Sequence, residues 1–301
     1  MIPIVLGVSL VIFSIMALTP GDPATSILGA DATKEAIDQL NHELGYDQPF
    51  FTRYINYMWD AIHLDFGKSY TTMLPVGDEL ISKLPISFAV AMNAIICAAL
   101  IGIPIGIISA VKQYSLWDTL PTFIAMFLAS APAFWLGMML MLFFSLKLKW
   151  LPTGGISSWK CYILPMLSLG LPYAAQQLRF TRSTMLETIR QDYVRTARAK
   201  GANERTVIWK HALKNALLPV ITVMGVNFGA LLGGAIVTET LFSIPGIGTF
   251  IVNGIYAKDV PVVMGGTICL AVMFSFIMLA VDLLYAFVDP RIKAKYIGRR
   301  S

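Results

Sequence analysis

The sequence predicts an all-α membrane protein of six transmembrane helices, with a small helical extracytoplasmic domain after the first. Three observations carry that expectation. Of the 301 residues, 56% are hydrophobic and only 14% charged, and the mean hydropathy is +0.67, whereas a soluble domain carries about a quarter charged residues. The apolar residues are gathered into six separate segments. Arg and Lys concentrate in alternate connections between them, the bias that orients a chain in a bilayer.

Residues 1–18 contain the first span, Ile2 to Leu18. It is a little short of the ~20 residues that cross a bilayer, yet it lacks the charged leader and small-residue cleavage site of a signal peptide. Residues 19–84 differ in kind. From Gly21 to Leu84 the chain holds ten acids against four bases. The run Thr33 to Leu40 spaces its apolar positions by three and four, as an amphipathic helix does, and Tyr54 to Leu64 is similar. This is the outer domain. Five further spans follow: Pro85 to Val111, Thr119 to Leu146, Tyr162 to Phe180, Leu217 to Val237 and Val262 to Val288. They make residues 85–288 the membrane core, and 289–301 form a basic tail. Gly102, Pro104, Gly106, Pro121, Pro132, Pro165 and Pro172 lie inside spans, where such residues mark bends.

Counting Lys and Arg sets the orientation. The connection 112–118, the basic stretch after the fourth span and the tail together hold 15; the other side holds 8, diluted by acids. Both termini therefore face the cytoplasm. The net charge of +5 is segregated by loop, which does not point to nucleic acid. Cys97, Cys161 and Cys269 have neither disulfide nor zinc spacing. No GxxxxGK[ST] or HExxH run occurs, and Asp65-Phe66-Gly67 lacks the other parts of a kinase. Charges within or near spans are few: Glu239 and Asp282, with Asp118 and Arg179 near ends. There is no relay of intramembrane acids and no internal repeat, which weighs against a secondary transporter. Asp282 has no acidic partner for an intramembrane protease. Asn93 and Asn227 line a pathway or bond between helices, and Gly225, Gly229, Gly233 and Gly234 suit close helix approach to a second subunit.

The long polar stretch 184–218 stands apart. It is helix-forming, without proline, and rich in Arg and Lys. Gly201 follows the cationic turn Arg198-Ala199-Lys200, and Asn203 offers an N-cap for a new helix. The expectation is a helix–turn–helix hairpin, with Ala197 and Ala199 giving a small-residue surface for another protein. A bland basic loop is the alternative.

The run Asp192-Tyr193-Val194-Arg195-Thr196-Ala197-Arg198-Ala199-Lys200-Gly201, with His211-Ala212-Leu213, Asn215 and Pro219, resembles the EAA-type loop of ABC importer permeases. Pro20-Gly21-Asp22-Pro23, Leu44-Gly45-Tyr46-Asp47-Gln48-Pro49, Asp65-Phe66-Gly67-Lys68-Ser69, Phe180-Thr181-Arg182-Ser183, Glu239-Thr240-Leu241-Phe242, Pro245-Gly246-Ile247-Gly248 and Asp289-Pro290-Arg291 extend that likeness over the whole chain. It is closest to the first-position permeases of dipeptide, oligopeptide, glutathione or nickel importers. Those relatives carry a basic leader before the first span, whereas this chain opens with Met1-Ile2-Pro3.

The resemblance implies a type I importer permease in the bacterial inner membrane that performs no chemistry and has no cofactor of its own. ATP and Mg bind two partner ATPase subunits. A second homologous permease completes the pathway, and an extracytoplasmic binding protein delivers a peptide, or else nickel or glutathione. The residues implied to meet the ATPase are Tyr193, Thr196, Ala197, Ala199, Lys200, Gly201, Ala202, Asn203, Glu204, His211 and Asn215.

Overall fold

The structure is a computed structural model that describes residues 2–19, 23–29 and 32–288; the basic tail expected at 289–301 lies outside them. The described residues are predominantly helical, as expected of a chain whose backbone polar groups must be satisfied within each segment, with longer connections at 63–75 and 148–158. In order the helices are α1 (Ile2–Leu18), α2 (Pro23–Leu28), α3 (Lys34–Glu43), α4 (Phe50–Ile62), α5 (Val76–Val111), α6 (Leu116–Ser130), α7 (Ala133–Leu140), α8 (Ile163–Ile189), α9 (Asp192–Ala199), α10 (Glu204–Thr206), α11 (Leu213–Leu241), α12 (Ile247–Ala257) and α13 (Val260–Val288).

Among the described residues, three helices are long and apolar enough to cross a membrane: α5, the run Glu204–Leu241 ending in α11, and α13 as far as Leu283. A fourth candidate is the third expected span, which is not straight. It breaks between α6 and α7, which are bent by 104°. The cause is local: Ala131 precedes Pro132 and is held extended, with ψ 130°, because the proline ring excludes the helical conformation from the residue before it. Helix α1, with 17 residues, is shorter than a full span. Helix α8 is 27 residues long but carries polar and charged groups through its second half. Helix α5 begins at Val76, well ahead of the expected Pro85.

The chain divides into two compact units. The first joins residues 1–88 to 243–275. Its centre is aromatic. Phe13 of α1 meets Phe50 and Tyr54 of α4 edge-on, at 5.2 and 5.5 Å between ring centres. Ala61, Met264 and Ile268 close that cluster. A second cluster holds Val76 and Leu80 of α5, Ile247 and Ile251 of α12, and Val262 of α13. Helix α12 was not expected from the sequence. It has 11 residues, too few to span, and one face of it, Ile247, Gly248, Ile251 and Gly254, is buried against its neighbours while Ile255 and Tyr256 stay exposed. Asp259, 1% exposed, accepts from Ser69 Oγ at 2.6 Å and from the Thr71 amide at 3.2 Å. It thereby ties the start of α13 to the turn before α5.

The second unit holds residues 89–242 and the chain from 276. Helix α8 lies at its centre, packed on α5, α6, α7 and α11. The contact with α5 is made backbone to backbone. A Cβ on Gly102 would lie 2.5 Å from the Ala174 carbonyl oxygen, and one on Gly106 2.7 Å from that of Leu178. Only glycine permits such an approach. Gly225, expected to face a second subunit, instead packs against Val281 of α13; no atom approaches a Cβ placed on Gly233 or Gly234.

Candidate functional site

The polar stretch after α8 folds into a hairpin. Helix α9 ends at Ala199, and Gly201 turns the chain at φ +82°, a conformation that costs other residues energy because of their Cβ. The amides of Gly201 and Ala202 bond the carbonyls of Arg198 and Ala197 at 2.9 and 3.2 Å. Asn203 then caps the returning strand of helix: its Oδ1 accepts from the Thr206 amide at 2.8 Å, satisfying a donor that the first helical turn leaves free. The return runs through α10 and a wider π-helical stretch, Val207–Ala212, into α11.

Two features make this corner stiff. Val194, Ala197 and Val207 form a small buried cluster inside it, with Ala202 against them. Across the corner Arg198 Nε and Nη2 hold Glu204 at 2.7 and 3.3 Å. The hydrogen-bonded Arg198 guanidinium also keeps the Glu204 carboxyl below the usual carboxylate range. At the open end, Asn215 Nδ2 donates to Tyr193 Oη at 3.0 Å and to the His211 carbonyl at 3.1 Å.

The residues singled out from the sequence thus fall into two groups. Tyr193, Thr196, Ala199, Lys200, Gly201, Asn203, Glu204 and Asn215 are exposed on the hairpin, and His211 and Ala202 are half-buried. Ala197 is a correction: it is 9% exposed and points into the hairpin cluster. Of the two alanines expected to offer a small-residue face, only Ala199 is at the surface. The reason is helical geometry, since Ala197 follows buried Val194 by three residues and so shares its inward face. Trp209, 58% exposed on the return, was not singled out.

The root of the hairpin is apolar and deep. Ile107 and Ala110 of α5, Met185 of α8, Ile208 and Ala212 of the π stretch, and Ala216 of α11 form one buried cluster. The hairpin is thus rooted among three long helices. A second tie lies beside it. Asp118, at the start of α6, is 4% exposed. It is gripped by Arg182 of α8 through Nε at 2.6 Å and Nη2 at 2.8 Å, and accepts further from Ser109 Oγ at 2.6 Å and the Tyr114 amide at 2.9 Å. The charges at 118 and 182 are visible in the sequence, but the 64-residue separation hides the pair.

The three intramembrane candidates do not gather. Asn93 is half-buried on α5 and Asp282 is exposed on α13. Asn227 is 7% exposed on α11, and its Nδ2 finds no hydrogen-bond partner among the described residues. Gln177 of α8, missed in the sequence, is 1% exposed and donates to the Val220 carbonyl of α11 at 3.3 Å. Among the described residues no three His, Cys, Asp or Glu side chains come together to hold a metal ion.

Comparison with known proteins bears on this arrangement. The family "Binding-protein-dependent transport system inner membrane component" matches residues 102–294, and its N-terminal companion matches residues 1–91. The "Dipeptide transport system permease protein DppB" of Alkalihalophilus pseudofirmus is 43% identical, over 97% of this chain and 96% of its own length. The "Glutathione transport system permease protein GsiC" of Escherichia coli K12 is 41% identical, over 98% and 96%. Among solved structures, an inward-facing form of the MetNI methionine ABC transporter superposes with TM-score 0.60 at 20% identity, over 70% of this chain and 96% of that one. An amino acid ABC transporter gives TM-score 0.52 at 15% identity, over 71% and 94%. At those identities the structures share the fold.

Proposed function

The chain belongs to the binding-protein-dependent transport system inner membrane component family, and from that membership we propose how it works. It is a multi-pass inner-membrane permease subunit of an ABC importer, a transport component and not an enzyme. ATPase and substrate-binding partners follow from the family in general terms. Our reading goes further. Six spans cross the bilayer with both termini inside, and residues 19–84 form an outer helical domain that receives the binding protein. Two permeases and two ATPases form the complex, this chain lining half the pathway. ATP and Mg act on the ATPases alone.

The hairpin 192–215 docks on one ATPase. The observation that carries this is its combination of an exposed, braced corner with a root buried among α5, α8 and α11. When the ATPases close on ATP, the corner is pushed and the spans tilt. The presented surface is the exposed set around Ala199 to Glu204, with Tyr193 and Asn215 holding the hairpin shut.

The substrate is a small peptide. A dipeptide is the first choice, and glutathione the second because relatives of both kinds match almost end to end. The test is to purify this chain from its own membranes with whatever remains bound, reconstitute it with extracytoplasmic binding proteins from the same cells, and measure uptake of dialanine and of glutathione. A nucleotide-binding subunit should co-purify, and uptake should require ATP. Isolation without such a subunit, or uptake without ATP, would overturn the reading.

A further inference from the structure

Helix α8 has one face that packing leaves over. Its buried face holds Ala174, Ala175, Gln177, Leu178, Thr181 and Met185. On the other side Tyr173, Gln176, Arg179 and Ser183 recur every three or four residues and so form one strip. Gln176, Arg179 and Ser183 are exposed, and Tyr173 is half-buried. They line a recess of about 670 Å³ together with Ala129, Pro172 and Phe180.

The strip differs from the faces beside it. The exposed residues of its neighbours are largely hydrocarbon, as with Leu100 and Ile108 of α5 or Leu120, Phe123 and Phe127 of α6. On α8 they are the amide of Gln176, the guanidinium of Arg179 and the hydroxyl of Ser183, with the Glu187 carboxylate a further turn on. None of the four polar side chains has a hydrogen-bond or ion-pair partner among the described residues. Arg182, one turn on, is taken by Asp118; Arg179 is not. At 1.5 Å per residue, Arg179 lies roughly 24 Å along the helix from Ile163, toward the cytoplasmic end of a ~30 Å bilayer core. A guanidinium there is expected to face water or a polar partner rather than lipid.

A passing peptide is such a partner. It carries a carboxylate, which a guanidinium fork grips through two parallel hydrogen bonds, and amide groups, which Gln176, Ser183 and Tyr173 can both donate to and accept from. We propose that the α8 strip is a substrate subsite of the translocation pathway, in which Arg179 takes the carboxylate of a peptide-like anion. This rests on the reading of the chain as half of a peptide pathway. The wide opening of the recess suits a site that must release what it holds.

The test uses the whole importer in proteoliposomes, with Cys97, Cys161 and Cys269 replaced by Ala and Gln176→Cys introduced. The probes are an anionic and a cationic water-soluble methanethiosulfonate reagent. Both should modify the new thiol, the anionic one faster. Arg179→Gln should slow the anionic and speed the cationic reagent by roughly threefold each, about tenfold in their ratio, for one charge removed a helical turn away. Millimolar dialanine or glutathione should slow modification. In the cysteine-containing importer, Arg179→Gln should lower uptake at least fivefold while ATP hydrolysis stimulated by loaded binding protein persists, and Arg179→Lys should restore part of it. A thiol inert to both reagents means the strip is covered by lipid or by the second subunit, and overturns the proposal. So does an unchanged ratio, or modification indifferent to peptide, as expected if Arg179 holds a lipid phosphate. Failure of ATP-dependent uptake by the unmodified importer would instead sink the permease reading itself.

Discussion

Replacing Asp118 with Ala should destabilise the protein by more than any single contact at this site is worth, because it strands a charge. Asp118 accepts two hydrogen bonds from Arg182, one from Ser109 and one from the Tyr114 amide. Removing one partner of a fully buried pair costs about 3–5 kcal/mol, most of it from the charge left without compensation. The Arg182 side chain is 26% exposed, so water recovers part of that, and about 2–3 kcal/mol is the expected loss. For a chain of this size that corresponds to a midpoint lower by roughly 5–10 °C. Asp118→Ala with Arg182→Met leaves no orphaned charge and should be the milder variant, at about 1 kcal/mol. The measurement is thermal challenge of the detergent-purified protein, reading the fraction that stays monodisperse by size exclusion, for wild type, both single variants and the double. Separate losses that simply add, or an Asp118→Ala protein as stable as wild type, would refute the argument that the pair anchors the loop at 112–118 to α8.

Gly201 and Gly102 supply two further predictions. No atom lies within 4 Å of a Cβ placed on Gly201, so its substitution cost is conformational: Gly201→Val, forced to φ near +82°, should lose at least ~1–2 kcal/mol locally and uncouple ATP hydrolysis from uptake, whereas Gly201→Asn should be nearly silent. Equal uptake by both variants would remove the corner from the coupling mechanism. Gly102→Ala places a Cβ 2.5 Å from a backbone oxygen of α8 and should cost about 1–3 kcal/mol through forced separation of the helices, read by the same thermal challenge; an unchanged midpoint would show that α5 and α8 slide freely.

Much of the hairpin was legible in the sequence because its code is local. A glycine after a cationic turn and an asparagine before a helix act on backbone groups two or three residues away, and both do in the structure what their positions imply. Periodicity also reports which residues share a face, but it does not say which face is turned inward. That is how Ala197 was placed at a partner surface when it sits against Val194 and Val207. The bend at Pro132 was marked by its proline, yet the 104° angle depends on what the two halves pack against.

Alone, the sequence determined that the chain is helical, lies in a membrane, and carries a basic hairpin between its apolar segments. Composition and spacing suffice there, since a bilayer demands long apolar helices and a turn demands its own residues. Tertiary structure alone decided that α12 is a half-buried helix too short to span, that Asp118 finds Arg182, and that the polar strip of α8 has no partner among the described residues. Each of these is set by groups far apart in the chain, and whether a charge is satisfied or free is a property of its surroundings, which no local pattern encodes.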